Sequence, residues 1–125
     1  MKDKKILIVD DDSTVRELLR LLLETEDVGV IIEGSNGLEA LEKAANENPD
    51  LILLDIMMPK FSGLETLRRL KASPETAKIP VIMLTAKGDP VSLQQAKELG
   101  ALLHIRKPFF PKKLTSSIKE VLEAQ

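Results

Sequence analysis

The sequence predicts an α/β fold over residues 1–125: a doubly wound, five-stranded parallel sheet in the order 2-1-3-4-5, with helices on both faces. Three observations lead there. Short continuous apolar runs, too short for core helices, recur along the chain and read as strands buried on both faces. Stretches with apolar residues at helical spacing separate them, so that strand and helix alternate five times, the pattern of a right-handed parallel sheet. The first and third runs both end in aspartate. In the order 2-1-3-4-5 those two strands flank the topological switch point, where such sheets bind ligands.

Lys5-Ile6-Leu7-Ile8-Val9 is the first strand, ending in Asp10-Asp11-Asp12. A helix follows, with Thr14-Val15-Arg16-Glu17 as its capping box and Val15, Leu18, Leu19 and Leu22 as its stripe. Gly29 breaks the pattern, and Val30-Ile31-Ile32 is a short strand whose register is the least determined. Ser35-Asn36-Gly37 is a turn, and Leu38, Leu41 and Ala45 form a second helical stripe that stops before Pro49. Leu51-Ile52-Leu53-Leu54 is the third strand. It delivers Asp55 to its C-terminal edge, followed by a loop containing Pro59 and Gly63. Ser62-Gly63-Leu64-Glu65 reads as a capping box, with Leu64, Leu67 and Leu70 on one face and Ser73-Pro74 as the stop. Val81-Ile82-Met83-Leu84 is the fourth strand, ending in Thr85-Ala86. Val91 to Leu99 is helical, capped by Gly100. Leu102-Leu103-His104-Ile105 is the fifth strand and runs into Arg106-Lys107-Pro108. Pro111 suits the first turn of a last helix, whose stripe is Leu114, Ile118, Val121 and Leu122.

Composition narrows the function. With 125 residues, 43% hydrophobic and 30% charged, the chain fits one globular domain with a real core. A net charge of −2 leaves no electrostatic footprint for nucleic acid. No run is long enough to span a membrane, and Met1–Lys5 leads into a strand rather than a signal sequence. Without cysteine, and with one histidine, thiolate nucleophiles, disulfides and multi-histidine metal sites are excluded. The same composition fits a cytoplasmic protein.

The C-terminal strand edge gathers Asp10 and Asp11, Asp55, Thr85 and Lys107. Clustered carboxylates repel and raise one another's pKa unless a cation is present. An open cluster of oxygen ligands suits Mg²⁺, which keeps several waters and leaves room for a phosphate oxygen. Lysine pairs with phosphate as a point charge, and a threonine hydroxyl can donate to the same group. Taken singly, Asp10–Asp12 read as a helix cap, Thr85 as a turn residue and Lys107 as a solvated lysine. Their meeting at the ends of four strands favours chemistry.

The pieces Ile6-Leu7-Ile8-Val9-Asp10-Asp11, Leu53-Leu54-Asp55-Ile56-Met57-Met58-Pro59, Leu84-Thr85-Ala86 and Lys107-Pro108-Phe109 resemble, in this order and spacing, a bacterial response-regulator receiver domain. The resemblance covers essentially the whole chain. Receivers share the flavodoxin-like strand order, so topology and resemblance are not independent. The resemblance implies that Asp55 accepts a phosphoryl group from a phosphohistidine, on a sensor histidine kinase or a phosphotransfer protein. It implies that Asp11 and Asp55 bind Mg²⁺ through carboxylates and Met57 through its backbone carbonyl, while Asp10 holds metal-bound water. Lys107 would pair with the phosphoryl group, Thr85 and residue 104 would form the switch, and the Lys107–Pro108 bond would be cis.

Some positions depart from the pattern. His104 stands where tyrosine or phenylalanine is usual; it reads equally as a pH-sensitive switch or as an ordinary strand-end imidazole. Ser62 replaces a common acid and reads as a helix cap. Leu102, Leu103 and Phe110 are unusually apolar, as core or as an adhesive face. Two other readings compete. A Mg²⁺-dependent phosphohydrolase of the haloacid-dehalogenase type would want a second acid where Met57 stands. A receiver-like scaffold without phosphorylation is at odds with the full residue set. Nucleotide binding lacks a Gly-rich phosphate loop. The chain stops after the last helix, so output is expected either through a partner or homodimer on the face formed by 91–122 or through a further domain.

Overall fold

Successive side chains of a strand point to opposite faces, so an unbroken apolar run needs cover on both. The computed structural model describes residues 2–58, 61–86 and 90–124. In chain order the elements are β1 (Lys5–Val9), α1 (Ser13–Glu24), β2 (Val30–Gly34), α2 (Gly37–Glu47), β3 (Leu51–Asp55), α3 (Gly63–Ala72), β4 (Val81–Thr85), α4 (Pro90–Glu98), β5 (Leu103–Arg106) and α5 (Pro111–Glu123). All strand pairings are parallel, in the order β2-β1-β3-β4-β5. The three inner strands are almost wholly buried, while the edge strands β2 and β5 are partly exposed.

Two apolar layers result. Leu7, Val9, Ile52, Leu54, Val81 and Met83 pack with α2, α3 and α4 through Ala40, Ala44, Leu67, Leu70 and Ala96. The alternate residues Ile6, Ile8, Leu51, Leu53, Ile82 and Leu84, with Ile105 of β5, pack against Leu19 and Leu23 of α1 and against Leu114, Ile118, Val121 and Leu122 of α5. Full burial of each valine, leucine, isoleucine or methionine among them is worth about 1.5–3 kcal/mol.

The structure corrects several local readings. The α1 cap is Asp12, whose carboxylate accepts from the Thr14 amide at 2.9 Å. The box read at Thr14–Glu17 therefore lies inside the helix, because the Asp10 carboxylate already closes the preceding turn on the Asp12 amide. Leu23 is buried in α1 and Leu18 is exposed. In α2 the buried residues are Gly37, Ala40 and Ala44, and Leu38 and Ala45 face solvent. Close packing chose small residues there: a Cβ on Gly37 would lie 2.3 Å from the Phe61 ring and 2.4 Å from the Thr66 hydroxyl. Asn36, read only as part of a turn, caps α2 by accepting from the Glu39 amide, and Glu39 accepts in return from the Ser35 amide. Ser62 does cap α3, but the Glu65 carboxylate turns to Arg68 and Arg69, so only half the box forms.

The second strand runs two residues past Ile32, through Glu33 to Gly34, with Lys5 paired to Val30 and Val9 to Gly34. Gly100 has φ +107° and follows α4, as a C-terminal cap requires. The fifth strand starts at Leu103, and both Leu102 and Leu103 are exposed rather than core. Pro59 lies outside the described residues.

Candidate functional site

Parallel strands bring their C-terminal ends to one edge, and the switch point opens between β1 and β3. Asp10 follows β1 directly, fully buried, and each of its polar atoms has a partner. Its amide donates to the Gly34 carbonyl at 3.2 Å. Its carbonyl accepts from Arg16 Nη1 at 2.6 Å. Its Oδ1 accepts from the Asp12 amide at 2.9 Å and its Oδ2 from Lys107 Nζ at 2.7 Å. Asp11, next along the turn, is exposed.

Asp55 ends β3 and is only 4% exposed. Its Oδ1 accepts from the Met57 amide at 3.2 Å and lies 3.4 Å from Lys107 Nζ. Gly63 shapes the backbone behind it. Its amide donates to the Ile56 carbonyl, and a Cβ there would sit 2.0 Å from the Asp55 carbonyl oxygen. Only glycine lets α3 start so close to the strand end.

Burial is the main reason the Asp55 carboxyl is pushed up to about 6, and the nearby Asp10 carboxylate adds to it; Lys107 and the Met57 amide pull the other way. For Lys107, burial disfavours the ammonium, but the Asp10 hydrogen bond and the Asp55 and Asp10 charges outweigh burial and raise its pKa. One oxygen from each of Asp10, Asp11 and Asp55 lies within 4.8 Å of the others. Such a donor set, oxygen only and partly buried, fits a hard divalent cation rather than a soft metal.

Thr85 ends β4, is 2% exposed, and its carbonyl accepts from the Lys107 amide at 2.7 Å. The Lys107–Pro108 peptide bond is cis. Met57 projects its side chain into solvent, 72% exposed. The structure thus brings Asp10, Asp11, Asp55 and Lys107 together, and Thr85 and Lys107 leave neighbouring strands at the same edge. His104 stands apart. It pairs in register with Met83 on the outer part of the sheet and lines a groove with Pro90, Leu93, Lys97, Leu102 and Leu103.

Sequence reasoning missed the ion network behind Asp10. Arg16 Nε donates to Glu33 Oε1 at 3.0 Å, and Arg20 Nε donates to Glu33 Oε2 at 2.7 Å. Arg20 Nη2 also reaches the Ile31 carbonyl, and Lys43 the Glu33 carbonyl. The Arg20 hydrogen bond chiefly holds the Glu33 pKa below the ordinary carboxylate value, against its partial burial. The sequence does place arginines four apart on a helix, but their partner sits on another element.

A family model described as the response regulator receiver domain matches residues 6–119. The chain is 44% identical over 122 residues to the phosphate regulon transcriptional regulatory protein PhoB of Pseudomonas aeruginosa, across 98% of this chain and 53% of that protein. It is 41% identical over 122 residues to sporulation initiation phosphotransferase F of Bacillus subtilis, across 98% of this chain and 96% of that protein. A crystal structure of a response regulator receiver domain protein from Methanospirillum hungatei superposes with a TM-score of 0.89 at 33% identity, across 97% of this chain and 94% of that one. The chain spans about half the length of the transcriptional regulators it matches.

Proposed function

The chain belongs to the response regulator receiver domain family, and on that premise we propose that it is a phosphorylation-controlled switch of a two-component system, with Asp55 as phosphoacceptor. The observation that carries this reading is the meeting of a buried carboxylate, Asp55, with Lys107 Nζ at 3.4 Å and with two further carboxylates at the switch point.

The donor is a phosphohistidine on a sensor histidine kinase or a phosphotransfer protein. At neutral pH most Asp55 is ionised, since its pKa is about 6, and a carboxylate oxygen attacks phosphorus. The new P–O bond forms as the P–N bond breaks, and the electron pair stays on the donor imidazole nitrogen. Positioning and charge neutralisation carry most of such a transfer. Asp11 and Asp55, with the Met57 carbonyl and water held by Asp10, would hold Mg²⁺, which would supply positive charge to offset that of the phosphoryl oxygens. Lys107 is the fixed cation on the other side. Its ammonium lies closer to Asp10, at 2.7 Å, than to Asp55, and the arriving phosphoryl charge gives it a third anionic partner. The Thr85 hydroxyl donates to a phosphoryl oxygen.

Thr85 and Lys107 sit at the ends of β4 and β5, so the response passes first into the face formed by 91–122, with His104 in it. Leu102, Leu103 and Val91 are exposed there, which suits a downstream effector or a second copy. No described helix is long and apolar enough to cross a membrane. We place it in the cytoplasm, with no direct nucleic-acid contacts by this domain and with signalling rather than metabolic turnover. Intact-mass measurement after treatment with acetyl phosphate and Mg²⁺ tests the reading. One phosphoryl mass is expected on the wild type and none on Asp55→Asn. A phosphoryl group on the Asn variant would overturn the assignment.

A further inference from the structure

From the geometry behind the acid cluster we infer that Arg16 is a positioning residue, a strap that holds the Asp10–Asp11 turn in its metal-binding shape, with Glu33 fixing the strap. The inference rests on the Mg²⁺ site proposed above. The Asp10 peptide is gripped from two elements: its amide bonds to Gly34 of β2, and its carbonyl takes the Arg16 Nη1 donor at 2.6 Å. The Arg16 backbone amide makes the first bond of α1, to the Asp12 carbonyl at 3.1 Å. Its fork geometry lets Nε bind Glu33 at 3.0 Å while Nη1 reaches Asp10, two nitrogens held in one rigid plane where a lysine offers a single, freely rotating one. Glu33 is held in turn by Arg20 at 2.7 Å.

The Arg16 side chain is 17% exposed, and its guanidinium is engaged by the Asp10 carbonyl and by Glu33, a carboxylate it shares with Arg20. It therefore acts on the acids through the backbone they hang from and not as a second cation for phosphate. Partners one step removed from a metal site orient the ligands themselves. Asp10 and Asp11 lie on one short turn, so tilting the Asp10 peptide moves both carboxylates relative to Asp55.

The test is Mg²⁺ affinity, measured by amide chemical-shift titration on the full chain with Mg²⁺ alone, alongside the melting temperature. Arg16→Gln is expected to weaken Mg²⁺ binding by about tenfold. A pure charge effect has the opposite sign, because removing a cation from an acidic crevice tightens Mg²⁺. Arg16→Lys, which keeps the charge and loses the fork, is expected to weaken binding severalfold, and it serves if the Gln variant does not fold. In the Arg16→Gln background, Glu33→Gln should add no further loss. Unchanged or tighter Mg²⁺ binding in both Arg16 variants, whatever their melting temperatures, overturns the strap. Wild type that binds no Mg²⁺, or whose Mg²⁺ binding Asp11→Asn leaves unchanged, overturns the metal site itself and with it the strap.

Discussion

Replacing Asp55 by Asn is expected to stabilise the metal-free protein at neutral pH while abolishing phosphorylation. The Asp55 carboxyl is 4% exposed and ionises at about 6, against an ordinary value of 3.8. Between those values the native protein binds more protons than the unfolded chain, so stability falls as pH rises through the window. Above about pH 6 the cost of the buried charge is fully present. At about 1.36 kcal/mol for each tenfold change in ionisation, it amounts to about 3 kcal/mol. Below about pH 4 the group is neutral in both states and costs nothing. Asparagine keeps the shape and carries no charge at any pH. Asp55→Asn should therefore raise the melting temperature by about 10 °C at pH 7.5 in EDTA and change it little at pH 4. Circular-dichroism melts of both proteins across this range provide the assay. Millimolar Mg²⁺ should narrow the gap from the wild-type side, because a cation bound only to the native state adds about 2.7 kcal/mol at a hundredfold excess over its Kd. An Asn variant that is no more stable at pH 7.5, or equally stabilised at pH 4, would refute the reasoning.

Two further outcomes are expected. Lys107→Ala should leave Mg²⁺ binding intact or tighter, since a positive charge leaves the crevice, yet uncouple phosphorylation from amide-exchange changes in β4, α4 and β5; a wild-type exchange response would sink the coupling role. Gly63→Ala should cost about 3 kcal/mol or more by urea unfolding and displace Asp55, because its methyl would lie 2.0 Å from the Asp55 carbonyl oxygen. Gly34→Ala, whose added methyl would find its nearest neighbours at 3.7 Å, is the tolerated control; equal losses in the two variants would mean that close approach at Asp55 is not the cause.

Much of this protein is legible without coordinates. The inner strands declare themselves because burial on both faces demands unbroken apolar runs, and the runs at Ile6–Val9, Leu51–Leu54 and Val81–Leu84 carry no competing pattern. Alternation with helices then leaves few topologies, and the observed order is the one expected. The meeting of Asp10, Asp11, Asp55 and Lys107 follows from topology, since Asp55 ends a strand and each of the others lies one or two residues past one. The α5 stripe was readable for the same reason as the strands: Leu114, Ile118, Val121 and Leu122 form one wide apolar face, and all four are buried.

What the sequence could not specify was set by distance between elements. Leu38 looked like core and faces water, while α2 turns Gly37, Ala40 and Ala44 inward and approaches so closely at Gly37 that even a Cβ would clash. Hydrophobicity ranks residues by transfer cost, whereas packing selects them by available space. The Asp12 cap won over Thr14 because Asp10 had already fixed the turn, a dependence between two side chains that no local pattern contains. Arg16 reaches Glu33 across 17 residues, and Lys107 reaches Asp10 across 97. The raised Asp55 pKa likewise comes from burial and from Asp10 on another strand. The sequence by itself determined which residues meet at the edge, because strand ends are written in local patterns. Only the tertiary structure decided how they are held and charged, because hydrogen bonds, desolvation and like-charge repulsion act between groups that chain order does not bring together.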